Sequence, residues 1–312
     1  MRGGGFLHSL IAGTGHFFPP FVLTNAMLEQ MVDTSDEWIV QRTGVRSRHI
    51  AKDMGPADMA ENAARAALEQ AGSPACDMIV VSTSSPDLYY PSIACRLGAR
   101  LGIHSAFCFD LSAACTGFLQ AFDIAGRAIQ TGGAGTALVV AAEKLSSVTD
   151  YTDRATCVLF GDAAAAFVLQ GSEERHVLAS YMASRNDGWE SLYAHVGQYT
   201  VMNGQEVYKF ATSAMPEAIE KVLERAGKKI GDVRWIIPHQ ANTRIIKSVM
   251  QKFDLPGEKV MITLDRTGNT SSATIPCILD EMNRGGKLQK GDLILMVAFG
   301  AGLTYGAVLY EW

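Results

Sequence analysis

Leu68-Glu69-Gln70-Ala71-Gly72, with Asp77 a short turn further on, returns as Leu223-Glu224-Arg225-Ala226-Gly227 with Asp232 at the same spacing, an offset of 155 residues. Each copy closes an amphipathic helical pattern, Asp58 to Ala71 and Ser213 to Ala226, with a glycine where helices turn left-handed to stop. Each is followed by an apolar run of strand length, Met78 to Val81 and Val233 to Ile237. The same offset lays Thr136 to Ala142 over Gly291 to Ala298, two further buried-strand patterns, and Ala113-Ala114-Cys115 over Gly268-Asn269-Thr270. Leu-Glu-x-Ala-Gly alone is a common helix ending. A register held through several matching element types reads instead as a domain duplicated within one chain. Helical and apolar strand segments alternate in both halves, which predicts a mixed α/β architecture with helix-covered sheets. The join is expected at Gly171-Ser172-Glu173-Glu174-Arg175, giving halves of residues 1–170 and 171–312. With no low-complexity or Pro-rich linker between them, the halves are expected to pack as one body.

At 312 residues the chain exceeds what one hydrophobic core usually serves, in keeping with two lobes. A hydrophobic content of 48% with 19% charged residues excludes a disordered protein. Lys and Arg number 27 against 32 Asp and Glu, a net charge of −5 that argues against a nucleic-acid binder. No apolar run is long enough for a membrane span, and Met1 to Gly15, with one Arg and an interrupted apolar run, makes a poor signal peptide. A cytoplasmic protein is the expectation. The six cysteines (Cys76, Cys95, Cys108, Cys115, Cys157, Cys277) form no CxxC pair, and no HExxH occurs, so no metal site is expected. Without a sign of secretion, disulfides are not expected either.

Four segments could carry chemistry. Phe107 to Phe118 reads as a strand ending in small residues and opening a helix, which sets Cys115 at a helix N-terminus. Unpaired N–H groups and the helix dipole there favour a thiolate, so a reactive thiol is expected. His239 ends the apolar run Trp235 to Pro238, the place where α/β proteins put ligand-facing groups. Asn269 sits in a glycine-hinged turn opening a second small-residue helix start. Through the internal offset, Cys115 and Asn269 fall at equivalent helix starts, with the strand ends at Ser84 and His239 beside them, so a two-fold relation would bring Cys, His and Asn together. Taken singly each has a plainer reading: a structural cysteine, a satisfied buried histidine, an N-cap asparagine. Last, Phe299-Gly300-Ala301-Gly302 links two strand patterns by a turn whose backbone N–H groups suit an oxyanion hole, though a bare hairpin would look similar. No Gly-Lys-Ser/Thr loop and no GxSxG elbow occurs, which disfavours a nucleotide hydrolase and a serine hydrolase.

Asp33-Thr34-Ser35-Asp36-Glu37-Trp38-Ile39, Arg42-Thr43-Gly44-Val45, Cys115-Thr116-Gly117-Phe118, Leu159-Phe160-Gly161-Asp162, Pro238-His239-Gln240-Ala241-Asn242, Gly268-Asn269-Thr270-Ser271 and Ala298-Phe299-Gly300-Ala301-Gly302 occur together and in this order. That set resembles the β-ketoacyl-acyl-carrier-protein synthase III family, the initiating condensing enzymes of bacterial fatty-acid synthesis, over nearly the whole chain. The resemblance implies the thiolase-like fold, in which internally duplicated α/β halves build five layers (αβαβα), and a homodimer. It implies Cys115 as acyl-accepting nucleophile, His239 and Asn269 as hydrogen-bond donors at the decarboxylation site, and the backbone N–H groups of Cys115 and Ala301 as oxyanion hole. Trp38 and Arg154 would hold the CoA adenine, Arg42 its phosphates, and Asn242 the pantetheine arm. Leu145, Phe160 and Phe299 would line the acyl pocket, with Tyr90 reaching in from the other subunit. Lys209, Arg244 and Lys252 would meet the acidic carrier protein. The partners implied are acyl-CoA, acetyl-CoA first among them, and malonyl-acyl-carrier protein; no resident cofactor or metal is implied.

Three departures stand out. Phe160-Gly161-Asp162-Ala163-Ala164-Ala165-Ala166 carries alanines where the family has two glycines, so different local packing is expected. The segment from Arg185 to Met202, which would wall the active site, is short. Tyr90 stands where the family has Phe. Other readings are a same-fold acyltransferase or specialised synthase, a silent partner subunit, and a degradative thiolase. The last is disfavoured because the glycine loop near Phe299 lacks a second cysteine.

Overall fold

A computed structural model describes residues 8–312 of the chain. Of the stretch examined as a signal peptide, Met1–Leu7 lie outside the described residues, and the remainder belongs to a strand. The first half runs β1 (His8–Phe17), β2 (Phe21–Thr24), α1 (Asn25–Leu28), α2 (Asp36–Thr43), β3 (Ser47–Ile50), α3 (Pro56–Gln70), β4 (Met78–Ser82), α4 (Ile93–Leu101), β5 (Phe107–Leu111), α5 (Gly117–Gln130), β6 (Thr136–Glu143) and β7 (Ala163–Ser172). The second runs β8 (Val177–Ser184), β9 (Leu192–Ala194), β10 (Thr200–Met202), α6 (Gly204–Ala226), β11 (Trp235–Pro238), α7 (Thr243–Lys252), α8 (Leu264–Thr267), α9 (Thr274–Arg284), β12 (Leu293–Gly300) and β13 (Thr304–Glu311).

Alternation along the strands builds the layers, because successive side chains point to opposite faces of a sheet. The first sheet has the order β1-β7-β6-β4-β5 and the second β11-β12-β13-β8. Ile79, Val81, Leu138 and Val140 face α3 and α4. Their neighbours Val80, Val139 and Phe167 face the opposite way, onto a central layer of α5 and α9 that also packs on Ile294, Met296 and Val308 of the second sheet. Leu295, Val297 and Phe299 face α6 and α7. The result is helix, sheet, helix, sheet, helix, the five-layered thiolase-like fold. Ala163 and Ala165 point into the central layer, and Ala164 and Ala166 into the outer one. All four sit in regular β7, so the family's glycines are not needed there.

The duplication is visible atom by atom. Gly72 and Gly227 are both left-handed, at φ 77° and 63°. Behind them Ser73 N–H bonds Leu68 C=O at 2.7 Å, and Lys228 N–H bonds Leu223 C=O at 3.0 Å. Beyond that point the correspondence lengthens by two residues. Asp77 N–H bonds Thr136 C=O just as Arg234 N–H bonds Leu293 C=O, and α5 begins at Gly117 as α9 begins at Thr274. The turn Ile230–Asp232 absorbs the difference. The constant offset is thereby corrected: the counterpart of Cys115 is Ser272 and that of His239 is Ser82, in place of Thr270 and Ser84. In the second sheet the fifth strand shrinks to one parallel bridge, Ile236 to Val260. The helix expected from Ser213 is the end of a longer one, started by Asn203, whose side chain accepts Glu206 N–H. The chain passes between sheets after Ser172 and before Val177. Among the described residues no helix is long and apolar enough to cross a membrane.

Candidate active site

Two helical turns meet at the centre of the molecule. From β5 the chain enters a 3₁₀ turn, Ala114–Thr116, that runs into α5; in the other half Ser271–Ala273 runs into α9. The two turns pack on each other. Both begin on a non-glycine residue in the left-handed region, Ala114 at φ 46° and Ser271 at φ 50°, strain of a kind that collects at functional sites. Close approach dictates two glycines. A Cβ on Gly117 would lie 2.1 Å from Ser82 Oγ, and one on Gly300 would lie 2.8 Å from Cys115 N. Gly300 is extended, at φ −166°, so what it supplies is room beside Cys115. Cys115 and Ala301 each lie at the start of a helical turn, where N–H groups have no intrahelical acceptor.

A cavity of about 310 Å³ opens over this centre. Cys115, His239, Asn269, Ser271, Gly300 and Ala301 line it together with Leu145, Phe160 and Phe299. The three predicted reactive residues therefore converge. Asn269 Oδ1 accepts Ser271 N–H at 2.9 Å, which assigns its amide N–H groups to the remaining directions. His239 is buried, with neither ring nitrogen hydrogen-bonded among the described residues, and its ring lies edge-on to Phe299 with centroids 5.4 Å apart. Burial holds its pKa down to about 3, against a small opposing pull from the Ser271 backbone, so the imidazole is neutral.

Cys115 corrects the sequence expectation. Its residue is half-buried because it borders the cavity, yet crowding by protein pushes the thiol up to about 12. The Ser271 hydroxyl works against that rise, and the nearby Glu143 carboxylate adds to it. Desolvation outweighs the helix terminus, and Cys115 rests as a thiol.

The wall comes from α6, α7 and the segment 185–202, and no residue of α2 lines the cavity. Short as it is, that segment forms the turn Asn186–Ser191 and the β9–β10 hairpin, and it brings Leu192, Tyr193, Ala194, Thr200 and Met202 to the cavity. From α6 and α7 come Val207, Tyr208 and Ile245. Trp38 lies on α2, with the Arg154 and Arg42 guanidinium groups 5.1 Å and 5.9 Å from its ring centroid. Asn242 lines the cavity and also ties α7 to α2: its Oδ1 accepts Arg244 N–H and its Nδ2 donates to Arg42 C=O. With Thr243 donating to Thr43 C=O and Arg244 to Gln41 C=O, it caps the C-terminal carbonyls of α2. Gly44 permits the contact, since a Cβ there would lie 2.2 Å from Thr243 Cγ2. Lys209 follows Tyr208 on α6 and pairs with Glu206, whereas Lys252 ends α7 and pairs with Glu220. Tyr90 is 86% exposed and does not line the cavity of its own chain.

The sequence marked the segment 185–202 as a wall without naming its lining residues, and it gave no reading of Glu143. The one signal for Glu143 was a lone acid ending an apolar strand, Val139-Val140-Ala141-Ala142-Glu143. Among the described residues no group of three His, Cys, Asp or Glu side chains is gathered to hold a metal ion.

Residues 109–186 match the family described as 3-oxoacyl-[acyl-carrier-protein (ACP)] synthase III, and residues 223–312 match its C-terminal counterpart. The chain is 44% identical to a β-ketoacyl-[acyl-carrier-protein] synthase III of Xanthomonas campestris, over 98% of this chain and 99% of that one. It superposes on the crystal structure of 3-oxoacyl-[acyl-carrier-protein] synthase III from Aquifex aeolicus with a TM-score of 0.95 and 46% identity, over 97% and 100% of the two chains. The priming β-ketosynthase of the R1128 polyketide pathway is similar too, with a TM-score of 0.95 and 35% identity over 100% of this chain and 98% of that one.

Proposed function

The chain belongs to the β-ketoacyl-acyl-carrier-protein synthase III family of condensing acyltransferases, which initiate fatty-acid synthesis, and on that premise we propose its substrates and residue roles. The acyl donor is acetyl-CoA, the acceptor is malonyl-acyl-carrier protein, and the product is a 3-ketoacyl-carrier protein formed by decarboxylating Claisen condensation. The convergence of Cys115, His239 and Asn269 on one cavity beside Gly300 and Ala301 carries this reading.

In the first step Cys115 Sγ attacks the thioester carbonyl. The oxygen, as it gains charge, is met by the backbone N–H groups of Cys115 and Ala301. The tetrahedral intermediate collapses to acyl-Cys115 as the CoA sulfur leaves. Because the resting thiol holds its proton, that proton passes to the departing CoA sulfur, which leaves as a thiol. In the second step the malonyl thioester loses CO2, leaving an enolate. His239 N–H and the Asn269 amide donate to its oxygen, and its carbon attacks acyl-Cys115. The Cys115 thiolate expelled by that attack takes up a proton from solvent to return to the resting thiol. A donor aimed at such an oxyanion contributes about 3–4 kcal/mol.

Trp38 and Arg154 receive the adenine, Arg42 the phosphates, Asn242 the pantetheine arm, and Lys209, Arg244 and Lys252 the carrier protein. The cavity, about 310 Å³, lies at the small end of ligand pockets and must take both the pantetheine arm and the acyl group. With Leu145, Phe160 and Phe299 closing in at the sulfur, a short starter fits. Tyr90, exposed in its own chain, completes the acyl pocket of a second copy in a homodimer. A second reading, priming of a specialised pathway with a longer starter, is favoured by the 35% identity to the polyketide priming synthase.

The test is intact mass after mixing the chain with acetyl-CoA and longer acyl-CoAs, with Cys115→Ala as control. One added acetyl group, absent from the control and discharged by malonyl-carrier protein, is expected. Acylation only by longer acyl-CoAs would favour the second reading, and no acylation by any would overturn the CoA-dependent step.

A further inference from the structure

The corrected register of the duplication sets unlike residues at matching points around the centre. Cys115 answers to Ser272, and the last residue of β6, Glu143, answers to the last residue of β12, Gly300. Contacts cross between the halves in the same way: β12 packs on the turn that bears Cys115, and β6 packs on the turn that bears Ser272. On the reacting side Gly300 leaves a space in front of Cys115 N–H, since even a Cβ would lie 2.8 Å from that nitrogen. On the other side the matching space is filled. Glu143, fully buried, turns its carboxylate onto Ser272, accepting from Oγ at 2.6 Å and from N–H at 3.4 Å. The same carboxylate accepts Ser84 N–H at 2.8 Å and the Ser84 and Ser85 hydroxyls at 3.4 Å.

We propose that Glu143 is a positioning residue for acyl transfer: its carboxylate stands permanently in the pseudo-symmetric counterpart of the oxyanion site and holds the Ser271–Ser272 turn and the Ser84–Ser85 loop against Cys115. The inference rests on Cys115 being the acyl acceptor. Glu143 touches no substrate. It acts through the Ser271–Ala273 turn, which packs on the turn that bears Cys115, and through Ser84, which borders the cavity. A glutamine cannot replace it silently. Every partner of the carboxylate is a donor in this arrangement and two are backbone N–H groups that cannot reverse, so an amide –NH2 would face a donor.

The experiment uses the full chain and acetyl-CoA, reading single-turnover formation of acyl-Cys115 by intact mass across acetyl-CoA concentration. Glu143→Gln should lower the maximal acylation rate by about 100-fold, the loss that a misplacement near 1 Å produces. The half-saturating acetyl-CoA concentration should stay within about threefold of wild type, because the lost interaction serves the reacting geometry and not ground-state binding. Glu143→Asp, which keeps the charge, should recover part of the rate. Ser272→Ala removes the shortest donor while Ser84 and Ser85 still donate to the carboxylate, and it should lose about tenfold in the same rate. Wild-type maximal rate in Glu143→Gln would overturn the proposal. If that variant does not fold, as judged by circular dichroism, Ser272→Ala decides: folded and acylating at wild-type rate, it overturns the proposal. If the wild-type chain takes no acyl group from any acyl-CoA, the CoA step fails instead. The rate of Cys115 alkylation by iodoacetamide in the same variants then decides, equal rates overturning the role of Glu143.

Discussion

Water that would stabilise an imidazolium is shut out at His239, and among the described residues neither ring nitrogen has a bonded partner to replace it. The folded-state pKa of about 3 therefore lies far below the ordinary 6.5. Between those two values the unfolded chain binds a proton that the folded chain refuses, so stability is intact above pH 6.5 and falls as pH drops toward 3. His239→Gln, with nothing to titrate, should unfold at a lower pH than wild type when acid denaturation is followed by circular dichroism. Parallel acid curves for the two proteins would show that the imidazole is not held neutral. At the reacting end the same neutrality keeps one N–H available as donor and one nitrogen as acceptor. Part of this could be read in the sequence and part could not. A strand-to-helix junction ending in small residues placed Cys115 at a helix start, as the structure bears out. The protonation states depend on how much protein surrounds each side chain, a tertiary quantity, and for Cys115 burial reversed the expectation from the helix dipole alone.

Two short strands, β9 and β10, wall the cavity beside α6 and α7. The segment 185–202 is fixed at its start by Arg185, whose N–H bonds Leu303 C=O and whose guanidinium meets Glu217 at 2.7 Å while lying over the rings of Phe210 and Tyr305. At its end Asn203 N–H bonds Ser191 C=O at 2.8 Å. A partly exposed ion pair contributes about 1 kcal/mol or less to global stability, so Arg185→Ala should leave the fold intact and loosen the wall. The expected outcome is faster hydrogen exchange across residues 186–202, with a KM for acyl-CoA raised several-fold and kcat held within about twofold. Unchanged exchange there would show that the hairpin stands without this anchor. The hairpin itself was illegible from sequence, because three-residue strands carry too little alternation to be read. The duplication was legible because Leu-Glu-x-Ala-Gly closes two helices with the same left-handed glycine. The two-residue slip after it was not, since the turn Ile230–Asp232 changes length without changing the hydrophobic pattern on either side.

At the scale of the whole molecule the first sheet ends on an open edge. Among the described residues β5 pairs with β4 alone and carries Phe107, 68% exposed, at its start, while the loop leading to α4 displays Leu88, Tyr89 and Tyr90 at 49%, 78% and 86%. An open strand edge beside a cluster of apolar side chains is a template for pairing unless something covers it. The homodimer proposed above covers it: two copies meeting along β5 would pair the edges and carry Tyr90 toward the other cavity. Stable association of that kind takes roughly 1,200–2,000 Å² of buried surface, more than the strand alone provides, so the loop with Leu88 and Tyr89 has to take part. Cys115 follows this edge in the chain, since β5 leads from Phe107 through Leu111 directly into the turn that bears it. Assembly and chemistry are therefore expected to fall together. Light scattering should find wild-type chains as dimers, and Phe107→Glu, which buries a like charge against its symmetry mate, should shift them to monomers. Acylation of Cys115 should drop by about tenfold or more in that monomer, because Tyr90 no longer closes the acyl pocket and the turn loses its backing. A wild-type chain that stays monomeric at assay concentration and acylates at full rate would remove both the dimer and the role of Tyr90.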